Sequence, residues 1–328
     1  MMNMLLPWQH EIWVRLWQSK RQNRLPHALL FSGAEGVGKQ QFADILTNAL
    51  LCTSASDDGR ACRQCKGCYL FQSKTHPDVR WISPEETSST IKIDQIRSAV
   101  NFVQETALLG GYRVIIIYPA SAMNINAANA LLKTLEEPTP QTVLILIADQ
   151  QARLPATVIS RCQKIIFPIP PADDAKKWLS QILPDQNTEL LLAMSEGAPL
   201  RAKQYLETGV MTLRQDFYQA LVDLSQSRAD PLKCAALWYE KNMEITLALL
   251  LVWVNDILRF QLTDGQVGLT NADFKNAISI IHTRISKSDT VKFIDEVQKA
   301  YGEIKASLNL NRQLLLEKIL IRWVKLCS

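Results

Sequence analysis

Gly33-Ala-Glu-Gly36-Val-Gly38-Lys39-Gln40 follows the short apolar run Ala28-Leu-Leu-Phe-Ser32 and runs into the helical stretch Gln41 to Leu51. Strand, glycine-rich turn and helix, in that order, form a phosphate cradle, because backbone N–H groups of the turn and of the helix start converge on an anion. The spacing G-x-x-x-x-G-K is complete through Lys39, the side chain that would meet the outer phosphates. The next position normally carries a hydroxyl that holds Mg²⁺, and here it is Gln40. An amide is the poorer magnesium ligand. Two readings of Gly33, Gly36, Gly38, Lys39 and Gln40 follow: a degenerate nucleotide site that binds without placing its metal, or a relic that only turns the chain.

The flanking pattern extends this unit into a sheet. Trp8, Ile12, Trp13, Leu16 and Trp17 recur at helical intervals before the loop. Beyond it, Val79 to Ile82, Arg113 to Tyr118 and Val143 to Ala148 read as strands. They alternate with helices marked by Ile93, Ile96, Val100 and Val103 and by Ala127 to Glu137, the latter stopped by Pro138. Uninterrupted apolar strands between helices predict a parallel sheet covered on both faces. A hydrolytic enzyme of this type keeps carboxylates at the end of the strand that finishes at Tyr118, to hold metal and orient water. This chain has Pro119 and Ala120 there, and the alternative acid is Asp149, at the end of the next strand.

Seven cysteines without a recognisable signal peptide point to a reducing compartment, where clustered thiols favour metal over disulfides. Cys52, Cys62, Cys65 and Cys68 form a C-x9-C-x2-C-x2-C cluster behind the loop helix. Four thiolates suit tetrahedral Zn²⁺, and the cations Arg60, Arg63 and Lys66 would offset the net charge of about minus two that remains. An iron–sulfur cluster is the alternative, but its run would continue with x3-C-P, whereas Cys68 is followed by Tyr69-Leu-Phe-Gln72. With no open position or catalytic acid nearby, the expected role is structural. His76, before Pro77, reads as a turn residue, and Cys162, Cys234 and Cys327 as small buried groups.

After the stiff segment Phe167-Pro-Ile-Pro-Pro171 no strand is predicted. The fold class is therefore α/β followed by all-α, with units at 1–168, 169–208 and 209–328 and the cysteine module at about 52–68. The last unit carries helix-spaced Leu310, Leu314, Leu315, Ile319 and Trp323. The apolar run Ile245 to Val254, interrupted by Asn255 and Asp256, falls short of the roughly 20 residues a membrane span needs and reads as a buried helix. Lys and Arg number 36 against 32 Asp and Glu, a balance that does not force a nucleic-acid surface.

His27-Ala-Leu-Leu-Phe-Ser-Gly33, the cysteine module, His76-Pro-Asp78, Asn129-Ala-Leu-Leu-Lys-Thr-Leu-Glu-Glu-Pro138 and Ser160-Arg-Cys162 occur in order across the first part of the chain. Together they resemble AAA+ clamp-loader subunits of bacterial DNA polymerase III. The resemblance implies an AAA+ P-loop domain with an inserted zinc module, a helical lid at 169–208 and a helical collar at 209–328 that assembles the complex; Leu308-Asn-Leu-Asn-Arg-Gln-Leu-Leu-Leu-Glu317 is similar to the family's collar. The implied partners are the gamma and tau motor subunits, the delta subunit, and the sliding clamp and primer-template DNA through the complex. The implied location is the cytoplasm, without a membrane.

The motor subunits of that family keep an intact loop and an Asp-Glu pair after the third strand. This chain departs at both places, so the resemblance implies a non-hydrolysing member of a DNA-directed DNA polymerase (nucleotidyltransferase) holoenzyme. It also implies that Arg161 acts in trans as an arginine finger on a neighbouring ATPase, a role that suits an always-charged, forked guanidinium. Arg201, in Gly197-Ala-Pro-Leu-Arg201, falls where the lid's second sensor arginine stands, and would reach the phosphates of any ATP or ADP at Lys39. An active clamp-loader ATPase and a zinc-dependent nucleic-acid-binding protein using the Arg60 to Lys66 surface are the alternatives.

Overall fold

The computed structural model describes residues 4–85, 88–149, 154–184, 186–266, 268–305 and 311–328. Leu310 and the start of the stretch Leu308 to Glu317 lie outside the described residues. The chain divides into two compact units, Met1–Asp174 and Ala175–Ser328.

In the first unit the strands are β1 (Ala28–Ser32), β2 (Val79–Ile82), β3 (Arg113–Ile117), β4 (Thr142–Ala148) and β5 (Gln163–Ile166). They form one sheet in the order β2-β3-β4-β1-β5, with every neighbouring pair parallel. The helices of this unit are α1 (His10–Arg21), α2 (Lys39–Leu51), α3 (Lys66–Gln72), α4 (Ile93–Gln104), α5 (Ile125–Glu136) and α6 (Ala156–Ile159). Parallel strands need such crossovers, and the crossovers cover both faces. Leu30, Ile115, Ile117, Leu144 and Leu146 pack on one face against Ile96, Val103 and Leu131. On the other side Phe31, Phe42 and Phe167 meet with ring centroids 5.1 to 5.6 Å apart, and Trp13 stands edge-on to Phe42.

Strand β5 is a finding that the hydrophobic pattern did not predict. Gln163 and Lys164 are exposed and only Ile165 of its four residues is buried, as befits an edge strand. Its register is set by β1, with Phe31 opposite Ile165 and Ser32 opposite Ile166. Because β1 lies between β4 and β5, the loop leaving it opens at the carboxyl edge of the sheet, where α/β folds place their ligands. The loop following α4 is fixed from below by Asp78. This fully buried carboxylate accepts from the backbone N–H of Leu108 (2.7 Å) and Leu109 (3.0 Å) and faces Arg113 at 3.6 Å.

All elements described from α7 (Ala172–Ile182) onward are helical: α8 (Thr188–Met194), α9 (Pro199–Glu207), α10 (Val210–Ser225), α11 (Pro231–Trp238), α12 (Met243–Thr263), α13 (Lys275–Ile281), α14 (Lys287–Lys305) and α15 (Arg312–Cys327), with one short 3₁₀ turn before α13. A small apolar cluster joins Ala175, Leu179, Leu191, Leu192 and Ala202. A larger one centres on Tyr218, Trp253, Phe293 and Trp323.

Helix α12 corrects the short apolar run read from sequence. It continues through Asn255 and Asp256 for 21 residues and is long and apolar enough to cross a membrane by length and composition. Its apolar side is nevertheless spent on the helical core, where Leu247, Leu249, Leu250, Trp253 and Ile257 have no exposed surface. Asp256 is buried with them and accepts from Thr270 N (3.0 Å), Asn271 N (2.7 Å) and Asn271 Nδ2 (2.8 Å). Asn271 in turn accepts from Arg214 of α10 at 2.8 Å. This relay ties the α12–α13 connection to two helices. Asp256→Ala strands those buried donors, and is expected to cost about 3 kcal/mol. The check is a lower denaturant midpoint for the helical unit at unchanged helix content.

Candidate functional site

The glycine-rich loop is shaped by close approach. Gly33 has φ 148°, and a Cβ there would lie 2.2 Å from the Phe167 carbonyl oxygen, so no larger residue fits between β1 and the chain leaving β5. Gly38 starts α2 from a left-handed conformation (φ 94°). The loop's outer carbonyls are held by the N-terminal segment. Gln9, fully buried, donates from Nε2 to Val37 O (3.2 Å) and Gly38 O (3.0 Å), and Trp8 donates from Nε1 to Val37 O (3.0 Å).

Lys39 points back into this loop. Its ammonium donates to Gly33 O (2.8 Å) and Ala34 O (2.6 Å) and pairs with Asp149 Oδ1 at 2.6 Å, with the side chain almost fully buried. An ammonium has three donors, and all three are committed. Asp149, at the end of β4, therefore serves as the counter-ion of Lys39. Its other oxygen accepts from the Tyr118 hydroxyl at 3.4 Å. Burial, then the charges of Asp149 and Glu35, push the Tyr118 phenol up, so it remains a donor. Gln40 is exposed on the first turn of α2, Gly36 lies in the loop at φ 81°, and Ala120 is fully buried at the position a hydrolytic carboxylate would take. The sequence named Asp149 as an alternative acid; its pairing with Lys39 and Tyr118 needed the sheet to bring three loop ends together.

Arg201 lies on α9 within the helical unit and is buried there. It donates to Glu244 Oε1 (2.6 Å) and the Tyr301 hydroxyl (3.2 Å) and faces Glu196 at 3.7 Å. Tyr301 and Lys305 also donate to Glu196, at 2.6 and 3.1 Å. Burial pushes the Glu196 carboxyl up, but the Tyr301 bond and the charges of Lys305 and Arg201 outweigh it and hold the group below its ordinary range. Such a carboxylate stabilises the fold above its unfolded value of 4.5, and that contribution is lost as pH falls through the lower folded value. The helical unit's unfolding midpoint is expected to drop more steeply below about pH 4.5 in the unmodified chain than in Glu196→Gln.

The four cysteines of the module converge. Cys52 caps the C-terminus of α2, Cys65 caps the N-terminus of α3, and Cys68 lies one turn inside α3. Their four Sγ atoms lie within 4.8 Å of one another, with Cys62–Cys68 at 4.0 Å and Cys52–Cys65 at 3.9 Å. Zinc–sulfur bonds of about 2.3 Å in a tetrahedron put sulfurs about 3.8 Å apart, so the cluster fits such an ion. Backbone N–H groups of Cys62, Cys65 and Cys68 point at Cys52, Cys62 and Cys65 sulfurs at 3.2 to 3.4 Å, an arrangement that stabilises thiolates. Against burial, hydrogen bonds from Cys68 N and Thr53 bring the Cys65 thiol down to about 6, while burial pushes Cys52 and Cys68 up. Four crowded thiols that differ in this way become four thiolates together only around a cation.

The module is anchored on two sides. Trp13 and Trp17 of α1 donate to the carbonyls of Asp58 (2.8 Å) and Asp57 (3.0 Å), and α3 rests on the end of α2 through Gly67, where a Cβ would lie 2.5 Å from Leu51 O. His76 is buried, accepts from Asp78 N at 3.1 Å and stays outside the sulfur cluster. Metal analysis is expected to find one bound ion per chain. Gly67→Ala, which lifts α3 from α2, is expected to release it to a chelator at least about tenfold faster, a loss in the range seen when support around metal ligands is removed.

Ser160-Arg161-Cys162 sits at the end of α6. Cys162 is buried among the apolar residues of the sheet face, with its thiol pushed up to about 11 by burial. Arg161 projects outward, its side chain 35% exposed. It donates from Nε (2.8 Å) and Nη2 (2.5 Å) to Glu136 Oε1, the last residue of α5, and from Nη1 to Thr157 O (3.0 Å). Cys162 is thus an anchor, and Arg161 before it is presented at the surface.

Residues 8–171 match the family model described as DNA polymerase III, delta subunit, and residues 209–325 match that described as DNA polymerase III, delta subunit, C terminal. The chain is 37% identical over 325 residues to DNA polymerase III subunit delta' of Pseudomonas aeruginosa, covering 98% of each. It is 32% identical over 263 residues to the delta' subunit of Haemophilus influenzae, covering 80% of this chain and 79% of that one. It is 30% identical over 318 residues to the delta' subunit of Escherichia coli, covering 96% and 94%. With a parallel sheet carrying a degenerate phosphate loop, a four-cysteine cluster and a helical C-terminal unit, this chain belongs to the family of DNA polymerase III delta' subunits.

Proposed function

We propose that the chain is a non-hydrolysing subunit of the DNA polymerase III clamp loader, which takes part in ATP-driven loading of the sliding clamp onto primed DNA and completes the ATP site of an adjacent motor subunit. The observation that carries this reading is the contrast between its two candidate sites. At the loop, Lys39 is sealed by its own carbonyls and Asp149, and Pro119 and Ala120 stand where metal-binding acids are needed. At the end of α6, Arg161 is exposed and held by bonds to Glu136 and Thr157. A protein with this pair of features lacks the groups for turnover and keeps the one group that acts on another subunit's phosphates.

In this reading the partners are the gamma or tau motor subunits and delta, with the clamp and primer-template DNA engaged through the complex, in the cytoplasm. The cysteine cluster holds structural Zn²⁺. The small apolar cluster around Leu179 and Leu191 supports a lid at 169–208, and the larger one around Trp253 and Trp323, which also takes in Leu190, Met194 and Tyr205, supports a collar at 209–328. ATP or ADP at Gly33, Gly36, Gly38, Lys39 and Gln40 would require Lys39 to exchange Asp149 for phosphate, and a phosphate contact from Arg201 would require it to leave Glu244. We infer that the loop serves chiefly as the joint between β1, α2 and the N-terminal segment.

The test is ATP hydrolysis, stimulated by DNA, in a complex rebuilt with motor and delta subunits. Arg161→Ala is expected to remove turnover at the one site it serves, with assembly intact; losing such an arginine costs about 10³ to 10⁵ in related systems. An unchanged rate would reduce the chain to a scaffold. Turnover by the isolated chain would instead favour an active ATPase.

A further inference from the structure

The guanidinium of Arg161 is held on two of its edges before any partner arrives. Nε and Nη2 both donate to Glu136 Oε1, and Nη1 donates to the Thr157 carbonyl, with Ser160 Oγ at 3.5 Å from the same nitrogen. A guanidinium has five N–H donors; with the Ser160 contact on Nη1 counted, the second N–H of Nη2 is left at the outer end of the fork. That N–H can meet a phosphoryl oxygen, and exchanging the long Ser160 contact would turn the parallel N–H of Nη1 to a second one. Glu136 is itself fixed, as the closing residue of α5, whose start is capped by Asn124 Oδ1 accepting from Ala127 N at 2.8 Å. Its side chain is 51% exposed and supports no part of the apolar core.

From this geometry we infer that Glu136 is the positioning residue of Arg161: it orients the guanidinium, through the Nε and Nη2 bonds, so that its free end meets the terminal phosphate in the neighbouring subunit. The inference rests on the trans role proposed above for Arg161. A long arginine side chain would otherwise lose its rotamer freedom only on reaching the phosphate, and the carboxylate removes that freedom in advance. Glu136 also leaves the outward N–H groups unoccupied, so it does not have to be displaced for a phosphate to bind. A carboxylate acting as a brake would instead occupy the end of the fork.

The experiment compares Glu136→Ala, Glu136→Gln, Arg161→Ala and Glu136→Ala with Arg161→Ala in the reconstituted complex, with assembly followed by gel filtration. Glu136→Ala is expected to lower kcat at the site by about ten- to hundredfold, the scale of a misplaced catalytic group, with KM for ATP nearly unchanged. Glu136→Gln keeps an oxygen acceptor in the same place and is expected to recover most of that rate. In the Arg161→Ala background, Glu136→Ala is expected to add nothing. A rate that rises in Glu136→Ala would mean a brake and overturn the inference. A rate that holds in Glu136→Ala while falling in Arg161→Ala would overturn the inference and leave the function standing. An unchanged rate in Arg161→Ala would overturn both.

Discussion

The buried ammonium of Lys39 sets the terms for the first unit. A cation taken out of water must find full compensation, or its burial costs several kcal/mol. Here the compensation comes from two carbonyls of its own loop and from Asp149 on the adjacent strand. The Lys39–Asp149 pair joins the loop after β1 to the end of β4, and the carbonyls of Val37 and Gly38 accept from Trp8 and Gln9. The same contacts that make the loop stable occupy the lysine that would meet a phosphate.

The cysteine module depends on that frame from behind. Helix α2 begins at Lys39 and ends at Cys52, so the orientation of the loop and the placement of the first sulfur are two ends of one rigid element. Trp13 and Trp17 then hold the connection between Cys52 and Cys62, and Gly67 allows α3 to sit directly on the last turn of α2. A metal there would join three segments with little apolar surface between them, which is the usual reason for a structural ion in a small module. Arg161, by contrast, follows α6, a four-residue helix whose end is tied down by Cys162 in the core and by the bonds of Arg161 to α5.

Much of this was legible in the residues. Strands β1, β3 and β4 are largely apolar runs buried along their whole length, and burial on both faces is the physical reason that they read so clearly. The four cysteines and the glycine-rich loop are also local patterns, because their chemistry demands fixed spacings along the chain. Strand β5 was not legible: Gln163 and Lys164 face solvent at the sheet edge, so neither composition nor alternation marks them. Helix α12 read as a shorter segment, because Asp256 looks like an interruption until the donors of Thr270 and Asn271 are brought to it from another loop.

The sequence by itself determined most of the element types, the missing hydroxyl and acids and the four-cysteine pattern, since each depends on residue identity and short-range spacing, while Arg161 was singled out by the resemblance of its triplet to the family. Tertiary structure decided how those groups are used. Lys39 meets Asp149 across 110 positions, Arg201 meets Glu244 across 43 and Arg161 meets Glu136 across 25. Each pairing follows from the register of strands and the packing of helices, because an ionised side chain takes its partner from whatever the fold places within reach.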